Sequence, residues 1–368
     1  MKLLVSTRLA CFCICSIAAV AQADDPPSVN ADLRLRALVD FPIGVAVPAD
    51  PWPNSLLKSP ERQALVERHF NSITAENVMK MAYLQPAPGE FVFEHADALV
   101  DYARRQGMIV HGHALVWHTQ APDWMNEFEG TTEEFRTILA QHIRTIAGHF
   151  AGKVESWDVV NEAFTDEVPT QYRDTIWYNS IGPQYIELAF KLAREADPHA
   201  DLYYIDYDIS GALGPAKLDR ILEMADDFKA RDIPLDGIGF QMHIDTEEPV
   251  LEDVRESFAK VVERGIKVRI AELDIAVNPA ERFTEFNSDL AELQRQHYAD
   301  VVRAYVETVP PRLRGGITVW GITDADSWIP EFKKRPDWPL LFDERFRPKK
   351  ALLGMAEGLS TTSVPRRK

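Results

Sequence analysis

The 368-residue sequence predicts an α/β chain folded as a (β/α)8 TIM barrel. Three observations predict it. Eight short, β-branched apolar runs alternate with eight stretches of helical period, the pattern of repeated strand–helix units. Several runs are apolar on both faces, as parallel strands covered by helices require. Finally, the polar residues cluster at the C-terminal ends of the runs, where barrel chemistry sits. An open doubly wound sheet shares the alternation. It lacks support here, because no Gly-rich turn follows the first strand.

In order, Met1–Ala23 reads as a secretory signal: Lys2 and Arg8, an apolar run over Leu9–Val20, then Ala21-Gln22-Ala23. Its roughly 12 apolar residues would cover only about 18 Å of a hydrocarbon core of about 30 Å, so cleavage is expected rather than anchoring. Residues 24–40 lead into a single catalytic domain over 41–358, and 359–368 form a loose tail. All three cysteines (Cys11, Cys13, Cys15) fall inside the signal. The rest therefore has no disulfide, thiol nucleophile or thiolate metal site.

The first strand, Ile43–Val47, precedes a helix over Pro60–His69 opened by Ser59-Pro60. Strand two, Ser72–Thr74, leads to Glu76, Asn77 and Lys80, then a helix over Ala96–Gln106. Strand three, Met108–Leu115, carries His113 near its end, with Trp117 and Gln120 beyond. Its helix, Thr132–Phe150, starts at Thr131-Thr132-Glu133-Glu134. Strand four, Val154–Val160, ends in Asn161-Glu162 before a helix over Pro183–Ala196. Strand five, Leu202–Ile205, runs into Asp206-Tyr207-Asp208 before a helix over Lys217–Lys229. Strand six, Gly237–Met242, brings Gln241 and His243 to its end, and its helix covers Glu252–Glu263. Strand seven, Lys267–Leu273, carries Glu272, with Asp274 just after, and is followed by Ser288–Val306. Strand eight, Gly316–Ile322, carries Trp320, with Trp328 beyond, and the last helix is Lys350–Glu357.

With 40 Lys+Arg against 57 Asp+Glu, the formal net charge is −17. A chain this acidic with no basic patch argues against a nucleic-acid partner. No later stretch is apolar enough to span a membrane. A monomer, exported to the periplasm or beyond the cell, is expected.

Each rim residue alone has an ordinary reading: a strand-end Glu is commonly a surface group, and Trp320 could be core. Their coincidence on one rim is what points to chemistry. Two carboxylates, Glu162 and Glu272, suit glycosidic cleavage. An acetal needs a proton donor for the leaving oxygen and a base or nucleophile for the anomeric carbon. Indole faces fit pyranose rings, and amides and imidazoles fit their hydroxyls.

Seven pieces in order carry a family resemblance: Thr74–Lys80; Gly112–Gln120; Trp157–Glu162; Asp236–His243; Ala271–Asp274; Val319–Gly321 with Asp324–Trp328; and Leu340–Glu344. With them the chain resembles the family-10 glycoside hydrolases, endo-β-1,4-xylanases built on a TIM barrel. The resemblance implies a substrate, xylan or xylo-oligosaccharides, and no cofactor or metal. It implies Glu162 as acid/base and Glu272 as the nucleophile of a retaining double displacement. Asn161 would hold the 2-hydroxyl of the sugar under attack. His243 would orient Glu272, with Asp274 behind it. Lys80, His113, Trp117, Gln241, Trp320 and Trp328 would line the subsite of that sugar, and Glu76, Asn77 and Gln120 would grip the next one out. Tyr207 is carried over as a substrate contact. Ionised Glu272 disfavours a second charge beside it; once Glu272 becomes an ester the repulsion ends and Glu162 can act as base.

The sequence departs from the family pattern at Met81, at Ala271 and at Ile205 and Asp208 at the end of strand five. None removes a catalytic carboxylate, and the strand-five changes bear on chain length and side-group tolerance more than on reaction class. Three alternatives stand beside the resemblance: a metal-dependent hydrolase using His111-Gly112-His113, a non-catalytic sugar-binding barrel, and a related clan glycosidase of cellulase type.

Overall fold

The structure, a computed structural model, describes residues 32–211 and 214–360. The expected signal with its cysteines, the first residues of the 24–40 segment and residues 361–368 of the tail lie outside the described residues.

Eight parallel strands form one sheet: β1 (Ile43–Val47), β2 (Ser72–Ala75), β3 (Ile109–Gly112), β4 (Ser156–Asn161), β5 (Asp201–Asp206), β6 (Gly237–Phe240), β7 (Lys267–Ala276) and β8 (Arg314–Val319). Neighbours in sequence are neighbours in space. β1 pairs with β8 through Ile43–Ile317, and β6 with β7 through Ile238–Val268, so the sheet closes on itself. This closure separates the barrel from the open doubly wound alternative. A three-residue parallel strand, His243–Asp245, extends the sixth position against β7.

Each strand is followed by its helix: α1 (Pro60–His69), α2 (Glu94–Arg105), α3 (Thr132–His149), α4 (Gln184–Ala196), α5 (Gly214–Ala230), α6 (Leu251–Glu263), α7 (Ser288–Thr308) and α8 (Lys350–Leu359). The start signals operate locally. Ser59 accepts the Arg62 N–H ahead of Pro60, and Thr131 and Glu134 form a reciprocal capping box that satisfies two otherwise orphaned donors.

The run expected as strand three is longer than the strand that forms. β3 ends at Gly112, and the chain beyond it leans on the next strand's edge. Leu115 N–H donates to Asp158 O (2.9 Å) and Val116 N–H to Val159 O (3.1 Å). The run is apolar because it is buried, not because it stays in the ladder. Gly112 is required where it stands, since a Cβ there would collide with the Trp157 indole.

Most of the core lies between sheet and helices, in one continuous apolar cluster. Inside the barrel a small second cluster, Tyr203, Ile205 and Ala271, packs separately. Near it sits Arg269, 2% exposed, which donates to Thr318 Oγ1 (2.7 Å) and Gly315 O (2.9 Å). The barrel is thus filled by side chains beneath the strand ends.

Candidate active site

Glu162 follows β4 directly. Its N–H donates to Ile205 O of β5 (3.0 Å), and its φ is +57°. A residue with a side chain holds that left-handed conformation only where its surroundings over-determine it. The carboxylate accepts Trp117 Nε1 on Oε2 (2.9 Å) and Gln241 Nε2 on Oε1 (2.8 Å). His118 Nε2 stands 4.0 Å from Oε2.

Gln241 also donates to Asn161 Oδ1 (3.0 Å), while its carbonyl accepts the N–H of Glu272 (3.0 Å). One residue of the sixth strand end therefore ties the two carboxylate-bearing strands together. Asn161 Nδ2 is buried and has no partner. A buried donor left unpaired costs about 1–3 kcal/mol, so this amide is poised for an acceptor from outside the protein.

Glu272 lies within β7, 5% exposed. His243 Nε2 meets its Oε2 at 3.1 Å, and His243 Nδ1 meets Asp274 Oδ2 at 2.9 Å. Trp328 Nε1 donates to the same Asp274 oxygen (2.9 Å). Burial alone would pull the His243 imidazole down, but Asp274 and then Glu272 hold it up at about 10. At neutral pH the ring is a cation between two carboxylates. Glu272 Oε1, by contrast, is buried and unpartnered, 3.9 Å from His113 Nδ1.

His113 and His111 both face Asp158, with His113 Nδ1 at 3.0 Å and His111 Nε2 at 2.9 Å from Asp158 Oδ2. Burial would raise that carboxyl, but the two imidazoles hold it below the usual range. The H-x-H pair read as a potential metal motif is thus turned onto a buried carboxylate. Among the described residues no group of three or more His, Cys, Asp or Glu is arranged to hold a metal ion.

Lys80 is 7% exposed, with its ammonium 4.9 Å from the centre of the Trp117 ring and 3.4 Å from Asn77 Oδ1. Burial pushes that ammonium down, against the opposing pull of Glu272, Glu76 and Glu162. Glu76 is raised by burial against the pull of Lys80. Gln120 Nε2 shares Asn77 Oδ1 (3.2 Å). Trp320 sets its ring edge-on to His113 (5.3 Å between centres), and Trp328 packs against His243 (5.0 Å).

The rim residues named from sequence therefore fall into connected groups. Tyr207 differs in kind. Its hydroxyl donates to Asp166 Oδ2 (2.5 Å) and accepts Arg173 Nη2 (2.9 Å), so it is committed to the protein framework. Sequence reasoning passed over Asp158, Asp166, Arg173 and Lys217. Two of these had a signal. Asp158 is a charge inside an otherwise apolar strand, and Lys217 opens the apolar stripe 217–221–225–228 of a helix.

Comparison with known proteins identifies the family. The family model for glycosyl hydrolase family 10 matches residues 33–357. The chain belongs to glycosyl hydrolase family 10. Within that family it is 44% identical to an endo-β-1,4-xylanase of Cellvibrio japonicus over 93% of this chain and 60% of the relative. An endo-1,4-β-xylanase A of Cellvibrio japonicus (strain Ueda107) is 42% identical over 90% of this chain and 57% of the relative. The chain thus spans about three-fifths of the length of these two curated family members. A solved family-10 neighbour, a mutant xylanase from Cellvibrio japonicus in complex with xylopentaose, superposes with a TM-score of 0.87 at 44% identity, covering 90% of this chain and 70% of that one. A native xylanase from Thermotoga maritima gives 0.81 at 35% identity, covering 89% and 98%.

Proposed function

We propose that this protein is an endo-β-1,4-xylanase that cleaves internal bonds of xylan and xylo-oligosaccharides with retention, using Glu162 as acid/base and Glu272 as nucleophile. The observation that carries the reading is the Gln241 link, which joins Asn161 and Glu162 on one strand end to Glu272 on another.

The two carboxylates are provisioned differently. Glu272 keeps one oxygen on cationic His243 and presents the other, Oε1, without a partner. That free oxygen is suited to attack the anomeric carbon. Glu162 is cradled by the Trp117 and Gln241 donors, and in this reading gives its proton to the departing oxygen. When Glu272 is esterified, its charge is gone, and Glu162 takes the proton of the incoming water. Asn161 Nδ2, the unpaired buried donor, is matched to the 2-hydroxyl of the sugar under attack, where a hydrogen bond that strengthens in the transition state contributes to rate. Glu76, Asn77 and Gln120 fit the next sugar, and Lys80, His113, Trp320 and Trp328 enclose the first.

The same proposal includes export after removal of Met1–Ala23, one catalytic domain over 41–358, and action as a monomer on a neutral polysaccharide. No helix among the described residues is long and apolar enough to cross a membrane.

The test is β-1,4-xylohexaose hydrolysis followed by proton NMR, with a Glu272→Ala control. Internal cleavage, with the new reducing end appearing first as the β anomer and lost in the control, is expected. The α anomer first would overturn the retaining mechanism. Line broadening of the sugar without cleavage would move the protein to the binding-barrel alternative.

A further inference from the structure

Lys217, on α5, has no role in the reaction scheme above, yet its side chain is 1% exposed. A lone buried ammonium is costly, and this one is fully provided for. Nζ lies 2.7 Å from Asp206 Oδ1 and 2.7 Å from Asp166 Oδ1. It also reaches Tyr207 O at 3.1 Å and stands 3.8 Å from the centre of the Tyr207 ring. Its two carboxylate partners belong to different strand ends. Asp206 closes β5, and Asp166 lies in the segment just beyond Glu162.

From these partners the network runs to the backbone of Glu162. Tyr204 OH donates to Asp206 Oδ2 (2.6 Å) and accepts the N–H of Ala163 (2.9 Å). Arg173 Nε donates to the carbonyl oxygen of Glu162 (3.1 Å), and its Nη2 to Phe164 O (2.8 Å) and Tyr207 OH (2.9 Å). Tyr207 OH in turn donates to Asp166. Both ends of the Glu162–Ala163 peptide are therefore gripped, the C=O by Arg173 and the N–H by Tyr204. Each grip leads back to a carboxylate that Lys217 binds. This is the peptide that follows the left-handed φ of Glu162, a conformation that survives only if the surroundings enforce it.

We propose that Lys217 is a positioning residue for acid catalysis: by bridging Asp166 and Asp206, with Arg173 as the second cation 3.7 Å from Asp166, it locks the Glu162–Ala163 peptide and so holds the Glu162 carboxyl at the leaving oxygen. The proposal rests on the reading of Glu162 as the acid. Without Lys217, buried Asp206 loses its ammonium and faces Asp166, which is 35% exposed and keeps Arg173 at 3.7 Å. The cost of burying Asp206 without a counter-charge, and its repulsion with Asp166, loosen the Asp206–Tyr204–Ala163 tie first and the Asp166–Tyr207–Arg173 tie with it. The carboxylate of the nucleophile is held by His243 with Asp274 behind it, side chains that Lys217 does not touch.

That separation gives the test. A xylose hydroxyl is a poor leaving group and needs the proton of Glu162; dinitrophenolate departs without it. The comparison is kcat/KM, which reports the glycosylation step, for xylohexaose and for 2,4-dinitrophenyl β-xylobioside. It is measured on Lys217→Met and on the doubly neutral Lys217→Met/Asp206→Asn, which leaves no orphan charge on Asp206 if the single variant fails to fold. Folding is checked by circular dichroism. On xylohexaose a loss of about 10²-fold is expected for the single variant and at least about tenfold for the double, since displacement of a catalytic group by about 1 Å has effects of that order. On the dinitrophenyl substrate both are expected to stay within about threefold of wild type. An equal loss on both substrates, or no loss on either in a folded variant, overturns the proposal. A Glu162→Ala variant run alongside tests the reading beneath it. If that variant fails to lose xylohexaose activity selectively, the assignment of Glu162 itself falls, and the positioning role with it.

Discussion

The cation held between Asp274 and Glu272 can be challenged by a single atom change, Asp274→Asn. A histidine moved from its ordinary 6.5 to about 10 expresses a preference of about 5 kcal/mol for the charged ring. Two opposite charges 2.9 Å apart interact by about 6 kcal/mol at an effective dielectric of 20, so the geometry accounts for a shift of this size against the cost of burial. Asp274 is the larger of the two supporting charges. Its neutralisation is expected to remove roughly 3 kcal/mol, which returns His243 to about 8 or lower. Asn can still accept the Trp328 Nε1–H, so the packing around position 274 should survive. The first readout is the His243 ring titration by NMR in both proteins. The second is kcat/KM on an aryl β-xylobioside from pH 6 to 10. Above about pH 8 the variant loses the charge-assisted bond to Glu272 Oε2, and its kcat/KM should fall about three- to tenfold further below wild type than at pH 6. A His243 that stays protonated above pH 9 in Asp274→Asn would refute the electrostatic account.

Further outcomes follow from the same contacts. Asn161→Ala should reduce kcat/KM on xylo-oligosaccharides by about 10²-fold, and much less on a substrate lacking the 2-hydroxyl; equal losses on both would remove Asn161 from that role. Trp328→Ala should raise the turnover of gluco-configured relative to xylo-configured substrates, if the indole crowds the place of a C6 hydroxymethyl; an unchanged ratio would sink that idea. Buried His142 meets the Gln85 side-chain amide and Leu115 O, and burial lowers its imidazole to about 4. The unfolded chain takes up this proton near 6.5 and the folded one only near 4. The contribution of His142 is therefore fully present above about pH 6.5 and declines by up to about 3 kcal/mol as pH falls toward 4; thermal melts of His142→Gln should show a shallower decline. Hydrolysis of xylohexaose should proceed at an unchanged rate after exhaustive chelation, measured by reducing-end release.

Much of the architecture was legible along the chain because its causes are local. A strand buried on both faces must read as a short apolar run, and a covering helix must repeat every 3.6 residues. Hence α1 and the start of α3 fall where Ser59-Pro60 and Thr131 place them. The rim residues were legible for a related reason: a charge or amide at the end of an apolar strand, as at Asn161-Glu162 or Gln241, breaks a pattern that packing alone would continue. The end of β3 was not legible. Leu115 and Val116 are as apolar as strand residues and still bond the β4 edge, but the regular strand has stopped at Gly112.

By itself the sequence determined the order of the eight units and the chemical inventory of the rim. The tertiary structure alone decided how that inventory is wired. Gln241 reaches Glu162 across 79 positions, and Lys217 reaches Asp166 across 51. His111 and His113 turned to a shared Asp158 rather than outward. The left-handed backbone of Glu162 has no signature in its own residue type. Hydrophobic periodicity records which face of an element is buried, whereas the partner of a buried charge is chosen only when distant strand ends meet.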